Sequence, residues 1–140
     1  MAGNWREVVA EWQEDEIFLG KNLKGGEVQM GSLENKPGIS PMEMLLLGVA
    51  GCTGMDIVSI LKKKRQDLKD FKVEVRGFRR DTYPMIYTEI QVTYLLWGED
   101  IDPAAVERAI RLSEDKYCSA SAMMKAAAEF SSSYKILPPE

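Results

Sequence analysis

Apolar residues recur on roughly alternate positions through the opening third of the chain, in EVVAEWQ, EIFLG and GEVQMGS. Glycine-bearing breaks at Leu19-Gly20 and Lys24-Gly25-Gly26 separate them, so the pattern predicts short antiparallel strands. LENKPGISP, Leu33 to Pro41, reads as a loop. Ser40 then offers an N-cap and Pro41 a first helical residue, predicting a helix from Pro41 to about Arg65. From Met44 to Val49 that helix is apolar nearly all round, where a helix lying on one sheet face needs only a stripe. A chain of 140 residues cannot easily cover it on every side, which predicts an intimate homodimer.

Period-two alternation returns in FKVEVRGFRRD, Phe71 to Asp81, and MIYTEIQVTYLLWG, Met85 to Gly98, rich in Val, Ile, Thr and Tyr. They predict a hairpin around Asp81-Thr82-Tyr83-Pro84. IDPAAVERAIRLSEDKY has Asp102 as N-cap, Pro103 behind it and apolar residues at 106, 109, 110 and 112, a second helix. SASAMMKAAAEF continues helically after Cys118, and SYKILPP closes the chain as a strand. The order β-β-β-α-β-β-α-α-β describes an α+β fold, mostly antiparallel, in one domain over residues 1–140.

Composition removes several classes of function. A hydrophobic share of 45% and a charged share of 29% are those of a soluble globular chain. The net charge of −4 is mixed along the sequence, and the one basic run, KKKRQ from Lys62, fits a helix C-terminus, so no nucleic-acid partner is expected. Met44 to Leu61 reaches the length of a membrane span but carries Asp56, Ser59, Thr53 and three glycines, and a buried core helix is expected instead. The N-terminus carries acidic residues and no apolar stretch of secretory length, so the expected location is cytoplasmic.

The chain has no histidine and two cysteines, Cys52 and Cys118, 66 positions apart. Imidazole-based triads and histidine-ligated zinc are excluded, and two cysteines alone do not complete a tetrahedral metal site. No metal and no organic cofactor is expected. Cys52 lies in LLLGVAGCTGMDIVSIL. It is either a small apolar filler or a reactive thiol. Gly48, Gly51 and Gly54 surround it, each at a cost of about 0.5 to 1 kcal/mol in a helix interior. Close helix packing or room for a ligand must offset that cost. Cys118, in EDKYCSASAMM, stands where one helix gives way to the next. It is either another filler or a thiol near a helix N-terminus, where amides favour its thiolate.

Asp56 shares a helix face with Cys52 but as an anion would raise a thiol's pKa, so a hydrogen bond to a neighbour is its expected role. Glu43 lies nine residues before Cys52, on the opposite face of a straight helix, and reaches the thiol only through a bend or a partner subunit. Arg79 and Arg80 are either a source of positive charge or solvated strand-end residues.

SPMEMLLLGVAGCTGMDIVSILKKKRQ and LSEDKYCSASAMM, together with FRRDTYPMIYTEIQVTY and SYKIL, resemble the OsmC/Ohr family of thiol-dependent peroxidases, and in particular its YhfA-type branch. The resemblance implies an intertwined homodimer in which antiparallel sheets enclose two long central helices. It further implies reduction of organic hydroperoxides with Cys52 as the attacking thiolate, Cys118 as the resolving thiol, Glu43 as the assisting carboxylate and an external dithiol as reductant. In the family's pattern the glutamate directly follows the helix-starting proline, a position held here by Met42, and an arginine comes from an N-terminal loop. The only arginine before Cys52 here is Arg6, while Lys21 and Lys24 occupy the glycine-rich loop. Two other functions are consistent with the same fold: a non-catalytic protein binding a small apolar ligand between subunits, and a redox sensor whose disulfide reshapes the dimer.

Overall fold

The computed structural model describes residues 3–139, and the chain divides between Leu45 and Leu46 into two compact units. In the first, strands β1 (Val8–Glu14), β2 (Ile17–Asn22) and β3 (Glu27–Met30) form an antiparallel sheet in the order β1-β2-β3. The β2–β3 connection is closed by Asn22, whose Oδ1 accepts hydrogen bonds from the amides of Lys24 (3.0 Å) and Gly26 (2.8 Å). Gly25 sits there at φ +92°, a conformation glycine adopts without steric cost. β1 is exposed along its whole length, including Val8, Val9 and Trp12.

Helix α1 (Pro41–Lys63) starts at a reciprocal pair of bonds: the Glu43 amide donates to Ser40 Oγ (3.1 Å), and the Ser40 amide donates to Glu43 Oε1 (2.9 Å). This is a capping box, and it satisfies two amides that the first turn otherwise leaves free. The helix stops two residues before the expected Arg65, which takes a left-handed φ of 57° and turns the chain into β4 (Asp67–Arg79).

The second unit is built on β4, β5 (Tyr87–Glu99) and β6 (Glu129–Leu137), in the order β4-β5-β6. β4 and β5 form the expected antiparallel hairpin, with β4 reaching back to Asp67 rather than starting at Phe71. β6 runs parallel to β5, a parallel pairing within a fold that is otherwise mostly antiparallel, as expected. The connection from β5 to β6 is a helical crossover, and such a connection returns the chain to run in the same direction. It consists of α2 (Pro103–Leu112), a five-residue π-helical turn (Ser113–Tyr117) and α3 (Ser119–Lys125). α3 ends before the expected Phe130, because Glu129 and Phe130 already pair with Glu89 and Ile90 in the sheet.

Alternation on β5 buries Ile90, Val92, Tyr94 and Leu96 on one face. α1 buries Val49, Thr53, Ile57 and Leu61, one residue per turn, and α2 buries Ala105, Val106, Ala109 and Ile110. α2 begins as the sequence predicts, with Asp102 Oδ1 accepting from the Ala104 amide (3.0 Å) and Pro103 at the first helical position. Gly54 of α1 faces β4, where an added methyl would touch Val73 (3.5 Å) and Phe71 (3.8 Å). The same methyl at Gly48 or Gly51 would meet nothing within 4 Å among the described residues, so packing against them does not offset the cost of those two glycines.

Candidate functional site

The two cysteines, far apart in sequence, meet within the second unit. Cys52 Sγ, Cys118 Sγ and a carboxylate oxygen of Asp56 all lie within 4.8 Å of one another. Both thiols are free; Cys52 is half-buried and Cys118 is only 3% exposed. Helical spacing sets Cys52 and Asp56 one turn apart on α1. Thr53, between them in sequence, turns into the core and donates its hydroxyl to the Val49 carbonyl (2.8 Å), which satisfies a polar group that is wholly buried.

Cys118 is delivered by the π-helical turn. Its amide donates to the Ser113 carbonyl five residues earlier (2.7 Å), and the Ser113 hydroxyl donates to Asp56 Oδ2 (2.9 Å). Ser113 therefore ties the turn to α1 through its side chain and to Cys118 through its main chain. A single wide turn of this kind inserts an extra residue into a helical path and re-aims the chain beyond it. Cys118, the next residue, is extended and caps α3, its sulfur accepting from the Ser121 amide (3.3 Å) and the Ser121 hydroxyl (3.2 Å).

Those two donors favour a thiolate, as expected for a cysteine at a helix start, but they do not prevail. Burial pushes the Cys118 thiol above its ordinary value; Ser121 opposes the shift, and the neighbouring Cys52 sulfur adds to it. Beside Cys118 and Thr53 stands Tyr94, whose hydroxyl donates to Glu114 Oε2 (2.6 Å). Burial first, and then the Glu114 carboxylate, push its phenol far above the usual range, so it stays a donor. Glu114 is in turn held by the Ser132 hydroxyl (3.1 Å).

Sequence reasoning did not single out Thr53, Ser113, Ser121, Tyr94 or Glu114 for this site. Tyr94 carries only the signal of an inward position on a strand, and a π-helical turn has no periodicity to read in SEDKY. Asp56 does take the expected hydrogen bond, from a buried serine of another element. Glu43 is engaged in the capping box, whose bonds to Ser40 hold its carboxyl below the ordinary value. Arg79 and Arg80 each donate through Nε to a carbonyl of the β4–β5 turn, of Met85 (2.7 Å) and Pro84 (2.7 Å) respectively. Lys21 pairs with Glu11 (2.9 Å).

Next to Asp56, a groove of about 420 Å³ is lined by Ile60, Lys63, Lys64, Leu112 and Tyr117, among others. Chemically, the site offers an accessible thiol, a second thiol kept protonated behind it, and a carboxylate oriented by a buried hydroxyl. That set supports thiol–disulfide chemistry and the ligation of thiophilic cations.

Comparison with known proteins bears on the family and the fold. The OsmC-like protein family matches residues 33–133. Protein YhfA of Escherichia coli K12 is 38% identical over 127 residues, covering 91% of this chain and 95% of its own. A crystal structure of a hypothetical protein from Aquifex aeolicus VF5 superimposes with a TM-score of 0.88 at 38% identity, covering 98% of this chain and 99% of the other. The organic hydroperoxide resistance protein OhrB of Bacillus subtilis shares the fold at 14% identity, with a TM-score of 0.63 and coverage of 94% and 98%. The α+β arrangement of two three-stranded sheets and three α-helices among the described residues, and the sequence that forms it, place the chain in the OsmC-like family.

Proposed function

We propose that the protein is a thiol peroxidase that reduces organic hydroperoxides, with Cys52 attacking and Cys118 resolving. The observation that carries the reading is the approach of one half-exposed and one buried sulfur to within 4.8 Å from distant parts of the chain. The Cys52 thiolate attacks the distal peroxide oxygen; the O–O bond breaks, the alkoxide leaves as an alcohol after taking a proton, and Cys52 becomes a sulfenic acid. Cys118 then attacks the Cys52 sulfur. Its own proton goes to the departing hydroxide, so water leaves and a disulfide remains. An external dithiol restores both thiols by exchange.

The division of roles rests on accessibility and charge. A peroxide reaches Cys52 more readily than Cys118, and a buried thiol with a raised pKa is a poor first nucleophile. The groove walls of Ile60, Leu112 and Tyr117 suit the organic portion of a hydroperoxide. Resistance to organic hydroperoxides, named for the Bacillus subtilis relative, is consistent with this choice. Glu43 enters the reading as the residue that fixes the start of α1. The working form in this reading is a cytoplasmic homodimer of 140-residue protomers. Leu47, Met55 and Val58 leave an apolar stripe of α1 exposed beside the open Gly48 and Gly51, the kind of surface a second copy covers.

The test counts free thiols per chain before and after one equivalent of an organic hydroperoxide, with non-reducing mass analysis. Loss of both thiols with a Cys52–Cys118 bridge is expected. A Cys52→Ser variant that still reduces the hydroperoxide at the original rate would overturn the assignment.

A further inference from the structure

Two thiols without a histidine fall short of a metal site, but the fold brings a carboxylate to them. Cys52, Asp56 and Cys118 present two sulfurs and an oxygen with every pair of ligand atoms within 4.8 Å. Around a tetrahedral zinc ion, with Zn–S of about 2.3 Å and Zn–O of about 2.1 Å, such atoms stand roughly 3.6 to 3.8 Å apart. No pair of these atoms has to close by more than about 1.2 Å to meet one ion. Three protein ligands plus one open position is the arrangement of zinc sites that retain a water.

The surroundings support ligation as well as the ligands do. The Ser113 hydroxyl holds Asp56 Oδ2 at 2.9 Å, and the Ser121 amide and hydroxyl both point at the Cys118 sulfur. Outer hydrogen bonds of this kind orient ligands toward a bound cation. Cys52 and Asp56 are one turn apart on a rigid helix, a spacing at which two side chains share one ion. The half-exposure of Cys52 leaves a way in. The donor set also selects the metal: two thiolates and one carboxylate suit zinc(II), whereas magnesium and calcium take all-oxygen sets and copper(I) favours sulfur alone.

We infer that the reduced protein binds one zinc(II)-class cation per chain through Cys52, Asp56 and Cys118. Binding does not depend on the peroxidase reading. Its consequence does: a metal held by both sulfurs withdraws electron density from Cys52 and crowds the approach of a peroxide, so the cation inhibits turnover and shields the thiols from oxidation.

The experiment titrates the full-length, reduced protein with cobalt(II) under anaerobic conditions, then displaces it with zinc(II). Expected are thiolate-to-cobalt charge-transfer absorption and the intense d–d bands of a tetrahedral ion, saturating at one cobalt per chain and abolished by zinc. Asp56→Asn, which keeps both thiols and can still accept the Ser113 hydrogen bond, is expected to weaken binding by about tenfold or more. Ser113→Ala should weaken it by roughly 10- to 100-fold. Absence of the bands, or wild-type affinity in Asp56→Asn, overturns the inference. The two proposals separate cleanly: a protein that oxidises with hydroperoxide but shows no cobalt bands keeps the peroxidase reading alone. One that shows the bands but retains both thiols in hydroperoxide keeps only the metal site.

Discussion

Cys118 and Cys52 differ in what surrounds them more than in what they are. Cys118 is enclosed, and its donors from Ser121 are outweighed by burial. Iodoacetamide near neutral pH is therefore expected to label Cys52 first, with labelling sites read by peptide mass analysis; equal rates at both sulfurs would contradict the burial argument. The raised Cys118 pKa also sets a sign for stability. An unfolded thiol ionises near 9.0 while the folded one resists, so keeping Cys118 neutral contributes fully below that pH. The contribution is lost as pH climbs through the raised folded value. Urea midpoints of the wild type should fall from about pH 9 upward more steeply than those of Cys118→Ser. At this scale the sequence singled out the two thiols that the fold brings together, since with no histidine they stand out. It did not reveal Ser113 or Ser121, because serine occurs everywhere and only a fold can aim one at a carboxylate or a sulfur.

Among the elements, α1 and the π-helical turn do most of the positioning, and they differ in how readable they are. The start of α1 is written in Ser40-Pro41-Met42-Glu43, and the structure closes that sequence into a capping box. Ser40→Ala should cost about 0.5 to 2 kcal/mol of stability in chemical denaturation. β4 and β5 were legible from alternation, but the direction of β6 was not. A closing run such as SYKIL pairs equally well either way until the length and helicity of its connection decide. Gly77 illustrates a constraint that no pattern carries. A methyl there would lie 2.6 Å from the Tyr87 ring and 3.1 Å from Leu46, so Gly77→Ala should lose about 1 to 3 kcal/mol by overpacking, measurable in the same denaturation assay.

For the whole molecule, the all-round apolar character of α1 was visible in Met44 to Val49, and the structure divides that character between two faces. One face fills the core through Val49, Ile57 and Leu61; the other leaves Leu47, Met55 and Val58 uncovered. The dimer proposed to cover them should give way when a charge is placed in the stripe. Met55→Glu is expected to shift the sedimentation velocity profile to that of a 15.8 kDa monomer, and a wild type already monomeric at micromolar concentration would remove the argument. The separation of the two thiols along the chain has a further consequence. A bond between Cys52 and Cys118 would enclose β4, β5 and α2 in one covalent ring of more than sixty residues. Closing a ring of that size removes so many denatured conformations that the oxidised chain should gain about 4 kcal/mol against unfolding. The oxidised form would be the hardier one. Cells short of reductant would then accumulate a form resistant to heat and proteases, a durable record of past oxidant exposure that persists until a dithiol erases it.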